Sequence, residues 1–381
     1  MEIKLNDIQN ILKKLLDHAE LRSPFMAGSN VSYREDLATK FQVFLSEIRE
    51  FTSEGIIESE LKNRVNDLEN VCDHILRSVD AYLSGSAGIA YDELERLFNE
   101  SIIKDNIIHL TKGMVGYDGT ERSLYRVRYS DANIVNRNEM FHIPFQLRHL
   151  VGTQRYSIAG VPCLYLGASL YVCWQEMGSP DLNKLYLSRF NYTPVNGDKI
   201  KYLDFAYSLE TLRHINLERF VEGREEDINK NLAQMIFFPI LIACSYNRKN
   251  QTANFHEEYI IPNLLLQWIS KVNDEISGIS YLSTKTHQMR HCDIGINFVF
   301  PPETSSMIAS GFCRKLSDSF KLSKPVSWQL LDTITAVQNE QESPYQRVSD
   351  INESYLRNYR STKFYEQECK LKDMGVDFAG S

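Results

Sequence analysis

The sequence predicts an α+β protein in which an α-helical N-terminal region precedes a mixed α/β domain. Over residues 1–103 apolar residues recur every three or four positions, the spacing of one face of a helix. From about residue 104 the pattern changes to short apolar runs of strand length, separated by helical patterns. Such an alternation predicts a mixed α/β or α+β domain. We place this domain at residues 104–337, and a polar linker with a C-terminal tail at 338–381.

The clearest helix of the N-terminal region spans residues 61–82, where an apolar stripe runs through a segment rich in charged and amide side chains. We expect these stripes to pack against each other or against the next domain. Residues 338–349 are predicted to be a loop, with a terminal helix after it. The predicted strands are 123–129, 161–166, 185–190, 200–205, 278–283 and 294–300, and the helices between them are 169–177, 209–217, 227–246 and 257–272.

The overall charge and the cysteine pattern limit the classes of function. The 381 residues carry a formal net charge of −8, so we expect no direct nucleic-acid binding, although a local basic cleft could hold a small anion. Seven scattered cysteines, an odd number without a CxxC pair, favour a reducing compartment. The first residues form an amphipathic helix pattern unlike a signal peptide, and the longest apolar run, 235–244, is too short to span a bilayer. We therefore expect a cytoplasmic protein without a membrane segment.

The stretch TQRYSIAGVPCLYLGASLYVCWQE, residues 153–176, organises the predicted domain. It combines a turn, a buried strand and a short helix that Ser169 can cap. Three residues of this apolar stretch are costly to place near a core: Arg155, Tyr165 and Glu176. The spacing allows the strand and the helix to direct all three into one cleft, where a half-buried carboxylate often marks a site.

Two arginines and one serine outside this stretch are further candidates. Arg126 and Arg128 alternate with apolar residues in a predicted strand, so they share a face and could clamp a phosphate or pyrophosphate. The alternative is a pair of arginines that faces solvent. Ser283 closes the strand GISYLS and could donate a hydrogen bond to a phosphate or a ribose hydroxyl. Without a Gly-x-Ser-x-Gly elbow, it does not have the pattern of an acyl-transfer nucleophile.

Other constellations carry less information. HQMRHCD, residues 287–293, holds two histidines at helical spacing but no third well-placed ligand, and we predict no metal site. A catalytic pair of Cys163 or Cys173 with His142 or His149 is disfavoured because both cysteines lie in apolar runs. The sequence contains no Walker motif and no dinucleotide-binding glycine motif.

The order of LYRVR, QRYSIAGVPCLYLGASLYVCWQE, GISYLSTK and INFVF, within residues 122–300, resembles the RES-domain family. That family includes the toxins of RES–Xre toxin–antitoxin pairs. The resemblance implies an ADP-ribosyltransferase-like fold and an enzyme that consumes NAD⁺ by phosphorolysis or hydrolysis. It implies no cofactor, because NAD⁺ is the substrate and phosphate a candidate co-substrate.

By this resemblance the catalytic residues are Arg155, Glu176 and Ser283. Arg155 would hold the pyrophosphate of NAD⁺, and Glu176 would bond the ribose hydroxyls and stabilise the cationic sugar that develops. Ser283 would orient a phosphate or the incoming nucleophile. Phosphate as the acceptor would give ADP-ribose-1″-phosphate, and water would give ADP-ribose.

Four further residues are predicted to bind the substrate. Arg126 would share the pyrophosphate, with Arg128 beside it, and Tyr165 would pack on the nicotinamide or its ribose. Tyr156 is the aromatic residue that follows the arginine in the family motif. The loop departs from that motif, since Thr153 and Gln154 replace a glycine pair.

Several alternatives remain open from the sequence. The same cleft would suit an ADP-ribosyltransferase acting on a macromolecule, or a non-catalytic protein that binds a nucleotide and interacts through its helical region. Residues 1–103 and the helices between Glu176 and Ser283 have no counterpart in the compact toxins. The expected partners are NAD⁺ and either a helix-turn-helix antitoxin of the Xre type or another regulatory protein, and a homo-oligomer is left open.

Overall fold

The computed structural model describes residues 3–114, 122–193, 200–218, 225–272, 275–285, 293–303, 311–334 and 359–379, and its fold is α+β as predicted. Its helices are Ile3–Asp17 (α1), Tyr33–Glu50 (α2), Ile56–Asn63 (α3), Val65–Leu83 (α4), Ala87–Asn99 (α5), Ser101–Lys104 (α6), Leu170–Glu176 (α7), Leu209–Glu218 (α8), Glu225–Ile236 (α9), Phe238–Cys244 (α10), Ile260–Lys271 (α11), Arg314–Ser319 (α12), Trp328–Thr333 (α13) and Lys363–Lys372 (α14). Its strands are Thr111–Gly113 (β1), Ser123–Tyr129 (β2), Leu164–Gly167 (β3), Leu185–Tyr192 (β4), Lys201–Phe205 (β5), Gly278–Leu282 (β6), Ile296–Phe300 (β7), Phe320–Ser323 (β8), Val326–Ser327 (β9) and Val376–Phe378 (β10).

The strands form one mixed sheet in the order β1-β5-β6-β7-β3-β2-β4-β8-β10, and β9 also pairs with β4. The β5–β6 pair is parallel, and each pair from β6 to β10 along this order is antiparallel. β2 and β4 pair along the whole of β2, whereas β2 and β3 pair only where Tyr125 meets Gly167. The pairing between β2 and β3 therefore ends one residue before Arg126.

The alternation of side chains along the strands gives the sheet two apolar faces. One face packs Leu124 of β2 with residues of the neighbouring strands that include Leu166 and Phe298. The opposite face packs Tyr125 and Val127 against α7, α13 and α14, with Leu170, Trp328 and Leu371 among its members. Burial of each large apolar side chain contributes about 1.5–3 kcal/mol, so both faces fix the strands that lead into the site.

The chain divides into two compact units. Unit 1 consists of Met1–Thr111, Gln154–Ser157 and Tyr207–Trp268, and unit 2 of Lys112–Thr153, Ile158–Ala206 and Ile269–Ser381. This division differs from the predicted boundaries at 103 and 337. The segment between α7 and β6 contributes largely to the same unit as the N-terminal helices, and α14 and β10 belong to the unit that holds the sheet.

Aromatic contacts explain why distant segments of unit 1 belong together. The ring of Phe98 on α5 stacks on Trp268 with 4.0 Å between centroids, and Phe44 on α2 packs against Phe238 at 5.4 Å. The hydroxyl of Tyr33 donates to the carbonyl of Ala243 at 2.9 Å. The predicted apolar stripes are confirmed as packing faces, and part of what they cover lies more than 100 residues further along the chain.

Most predicted elements are present, with shifted ends. The predicted helix over 227–246 is two helices, because Pro239 lacks an N–H and its ring excludes the preceding turn of a continuous helix. The predicted strand over 161–166 begins only at Leu164, since Val161 pairs instead with Ile158 across a turn whose Gly160 has a φ of 69°. The terminal helix is confirmed as α14. The predicted loop at 338–349 lies outside the described residues.

Candidate active site

The end of α7 places Glu176. Ser169 begins the helix by accepting a hydrogen bond from the N–H of Val172 at 3.0 Å, while its own hydroxyl donates to the carbonyl of Ile294 at 2.7 Å. Gly167 allows the helix to lie close to β3, because a Cβ there would stand 2.5 Å from the sulfur of Cys173. The predicted cap at Ser169 is confirmed. It fixes the start of α7 directly after the buried strand β3.

The carboxylate of Glu176 is held by two neutral donors. The hydroxyl of Ser283 and the amide Nδ2 of Asn297 each donate to its Oε1 at 2.7 Å. Both donors lie in buried residues, with Ser283 1% and Asn297 6% exposed, whereas the Glu176 side chain is 31% exposed. Oε1 is therefore fixed from the protein side, and Oε2 accepts no hydrogen bond among the described residues.

Lys285 completes this cluster. Its Nζ donates to the backbone carbonyl of Glu176 and lies 3.6 Å from Oε2 of the same residue. Its backbone N–H donates to the hydroxyl oxygen of Ser283 at 3.2 Å. The hydroxyl of Ser283 thus accepts from one neighbour and donates to Glu176, so its orientation is determined. The structure brings the predicted Glu176 and Ser283 together directly.

Tyr165 lies on β3, on the sheet face that also carries Asn297. Burial raises the pKa of the Tyr165 phenol well above its usual value, and the neighbouring Cys163 and Tyr281 act in the same direction. The positive charge of Arg126 opposes this rise. Tyr165 is thus an uncharged aromatic side chain of β3, the strand between β7 and β2.

Arg126 of unit 2 carries a buried donor atom. The residue is partly accessible, but its Nη1 atom is buried and has no hydrogen-bond partner among the described residues. Burial and then the charge of Arg128 lower the pKa of Arg126 to about 10. A buried guanidinium donor without an acceptor costs free energy, and an oxyanion would relieve that cost. Arg126 projects where the pairing of β2 and β3 has ended.

In the pairing with β4, Arg126 lies opposite Ser188 and Arg128 lies opposite Tyr186. The two arginines therefore share a sheet face, as the alternation predicts. Its side chain is exposed and donates through Nη1 to the carbonyl of Glu139. That contact is to a backbone carbonyl, and no ion pair of Arg128 is present among the described residues.

Arg155 lies in unit 1 and is 6% exposed. Its Nη1 donates to the carbonyl of Cys244 at 2.8 Å, and its Nη2 donates to the carbonyl of Tyr246. Its guanidinium carbon lies 5.3 Å from the centroid of the Tyr259 ring. These contacts hold the side chain at the C-terminal end of α10.

Tyr156, the neighbour of Arg155, is 1% exposed and forms a hydrogen bond with the thiol of Cys244. The N–H of Ser157 donates to Oδ1 of Asn263 at 2.9 Å. Together these contacts anchor the loop 154–157 within unit 1. The predicted site residues are thus divided between the two units, with Arg155 and Tyr156 in unit 1 and the remaining ones in unit 2.

Sequence reasoning missed Asn297 and Lys285, although both lie in the quoted motifs INFVF and GISYLSTK. The signal for Asn297 is that it is the sole polar residue of a five-residue strand that is otherwise apolar and wholly buried. The signal for Lys285 is its place two residues after Ser283. The HQMRHCD motif lies outside the residues whose side chains the structure describes, and among those it does describe, no group of three or more potential metal ligands is found.

Comparison with known proteins assigns the family. A relative from Bacillus subtilis (strain 168), named "Putative toxin YopC", is 30% identical over 328 residues, which cover 85% of this chain and 72% of the relative. The chain belongs to the same family as YopC. No protein-family model matches the chain, and no solved structure matches it. None of the helices in the described ranges is long and apolar enough to cross a membrane.

Proposed function

We propose that the chain is a toxin that degrades NAD⁺ by cleaving the bond between nicotinamide and ribose. The observation that carries the proposal is the carboxylate of Glu176, whose Oε1 is held by Ser283 and Asn297 while its Oε2 has Lys285 at 3.6 Å and accepts no hydrogen bond among the described residues. The RES-type order of motifs supports the chemistry. The name of the relative YopC supports the toxin role.

Glu176 is the residue that stabilises the reacting sugar. As the bond between C1″ and nicotinamide lengthens, positive charge develops on the ribose, as in glycoside cleavage. A fixed carboxylate next to that charge stabilises the transition state more than the ground state. Its Oε2 has no hydrogen bond among the described residues, so it is available to the ribose hydroxyls.

The reaction needs no second carboxylate. The electron pair of the breaking C1″–N bond returns to the nicotinamide ring, which leaves as a neutral molecule. An oxygen lone pair of phosphate then forms the new bond to C1″ and gives ADP-ribose-1″-phosphate. Water in the same position gives ADP-ribose and releases one proton.

Arg126 and Tyr165 are proposed to hold the dinucleotide. The Nη1 of Arg126 lacks an acceptor among the described residues, and a pyrophosphate oxygen would supply one. Tyr165 offers an uncharged ring to the nicotinamide or its ribose. Arg128 is proposed to add positive charge at the outer end of the same strand face.

Arg155 is proposed as the second pyrophosphate ligand, on the strength of the motif, with Tyr156 as the buried anchor of its loop. Two of its five donor hydrogens point to the carbonyls of Cys244 and Tyr246, which keep the guanidinium in one orientation. A guanidinium fixed in this way needs little reordering to bind an oxyanion.

Ser283 is proposed to orient the acceptor beside Glu176. Lys285 lies in the same cluster and adds a positive charge near Oε2, which favours a phosphate acceptor over water. We therefore expect phosphorolysis to be faster than hydrolysis when phosphate is present.

The test is NAD⁺ consumption by the purified chain with and without phosphate, with products resolved by mass. We expect nicotinamide and ADP-ribose-1″-phosphate, and a loss of at least 100-fold in the Glu176→Gln variant. Glu275→Gln is the matched control, because Glu275 is an exposed carboxylate of the same unit. Full turnover by folded Glu176→Gln would refute the assigned role.

Other products would favour another function. Labelled ADP-ribose on a protein or nucleic acid, with little free product, would identify a macromolecular ADP-ribosyltransferase. A tight NAD⁺ complex that never turns over would identify a binding module.

The toxin role has its own test. Induced expression in a bacterial host should stop growth and lower cellular NAD⁺, and Glu176→Gln should do neither. A helix-turn-helix protein encoded beside the gene should restore growth when it is co-expressed. Growth arrest by the Glu176→Gln variant would separate toxicity from NAD⁺ cleavage.

A further inference from the structure

Two basic side chains of unit 1, Arg248 and His256, lie near Arg155. Neither the guanidinium of Arg248 nor the ring of His256 has a hydrogen bond or an ion pair among the described residues, and both are partly exposed. Arg155 donates to the carbonyl of Tyr246, two residues before Arg248. The Tyr259 ring contacts Arg155, as described, and also lies 4.9 Å from the His256 ring. The Tyr259 ring thus contacts both Arg155 and His256.

The charges of these groups act on each other. Burial lowers the pKa of His256, and the positive charges of Arg248 and then Arg155 lower it further, whereas Glu258 opposes them. Glu258 is 5% exposed, and its Oε1 already accepts the N–H of Lys249 at 2.8 Å. The neighbouring acid thus has a backbone donor of its own. Arg248 and His256 are partly exposed and have no ion pair among the described residues, so an external anion has access to both.

We infer that Arg248 and His256, together with Arg155, form an anion subsite in unit 1 that takes a phosphoryl group. Arg248 would offer paired donors to two oxygens, and His256 a single N–H. Arg155, largely buried, would add its charge from within the unit. The natural ligand, the pyrophosphate of NAD⁺ or a phosphate acceptor, rests on the proposed function, whereas the binding of phosphoryl anions does not.

This subsite would come from the segment that interrupts the RES-type pattern. Arg248 and His256 lie between α10 and α11, among the residues without a counterpart in the compact toxins. The inserted segment would then supply substrate contacts in addition to packing. Substrate affinity in this chain would depend on residues that the shared motifs do not include.

The test follows the His256 ring signals by NMR in the full chain, with His256→Gln used for the assignment. Inorganic pyrophosphate should raise the pKa of His256, because a bound anion stabilises the imidazolium. The apparent Kd should rise at least tenfold in Arg248→Ala. Arg213→Ala is the control, because Arg213 is an exposed arginine of the same unit.

The choice of anion distinguishes the ligands. A response to ADP-ribose at lower concentration than to phosphate assigns the subsite to the dinucleotide, and the reverse order assigns it to the acceptor. No response to millimolar pyrophosphate, or an equal response in Arg248→Ala, overturns the subsite even if NAD⁺ is consumed. A normal response in a protein that never consumes NAD⁺ leaves the subsite standing and removes the proposed function.

Discussion

The amide of Asn297 donates a 2.7 Å hydrogen bond to the carboxylate of Glu176, and the remaining residues of its strand, β7, are all apolar. A buried amide in such a strand is costly unless it is paired, and here its partner is the carboxylate proposed to act on the substrate. We interpret Asn297 as a positioning residue.

Replacing Asn297 by Ala should lower kcat more than it raises KM, because the carboxylate loses one of the two donors that orient it. A hydrogen bond to a charged group contributes about 1.5–3 kcal/mol, which corresponds to roughly 10- to 150-fold in rate. Steady-state kinetics and thermal unfolding measured together test this. Asn297→Ser, which keeps a donor, should recover part of the rate. Equal kinetics in both variants and the unmodified chain would contradict the role.

Replacing Arg126 by Met should affect stability and binding in opposite directions. The free protein should keep or raise its Tm, because a buried donor without an acceptor is removed. The KM for NAD⁺ should rise at least tenfold. Differential scanning fluorimetry with and without ADP-ribose measures both effects. A large fall in Tm of the free protein would show that Arg126 has a structural role instead.

Glu368 should make stability depend on pH. It accepts hydrogen bonds from the N–H of Leu170 at 2.7 Å and from the hydroxyl of Tyr359 at 2.6 Å, yet burial raises its pKa to about 7. Because the folded pKa exceeds the usual 4.5, the free energy of unfolding should fall as pH rises through this window, by about 3 kcal/mol. Urea unfolding between pH 5 and 8 should show this fall in the unmodified chain and a smaller one in Glu368→Gln. The exposed Glu275→Gln should retain the full dependence.

Unit 1 should not fold without its N-terminal helices. The hydroxyl of Tyr246 donates to Oδ2 of Asp36 at 2.6 Å, and the carbonyl of Tyr246 holds Arg155. Tyr246→Phe should lower the free energy of unfolding by about 1 kcal/mol, since the half-buried Asp36 loses one donor and keeps Lys40 at 3.3 Å from the same oxygen. Deletion of residues 1–103 should expose the apolar residues of α10 and give aggregated protein. Hydrogen exchange that leaves α10 protected after the deletion would count against this dependence.

The sequence predicted strands β2 to β7, because their apolar runs have the lengths and periods of strands, but it did not predict the short strands β1, β8, β9 and β10. The resemblance to the RES-domain family put Glu176 and Ser283 in one catalytic set, and the two side chains share a hydrogen bond although they are far apart in the chain. It did not predict the partnership of the 207–268 segment with the N-terminal helices, because periodicity shows which face of a helix is apolar but not what covers it. Asn297 was missed for a related reason, since one polar residue in a strand does not reveal its partner.

The hydrogen bond that joins Leu170 to Glu368 also affects timing during synthesis. The first N–H of α7 receives its acceptor from a residue 198 positions later in the chain. At about 5–20 residues per second, a ribosome adds that acceptor roughly 10–40 s after Leu170. Throughout this interval the helix that carries Glu176 lacks one of its fixed contacts. A nascent chain would therefore pass through a long stage in which the proposed catalytic carboxylate is not yet fully supported.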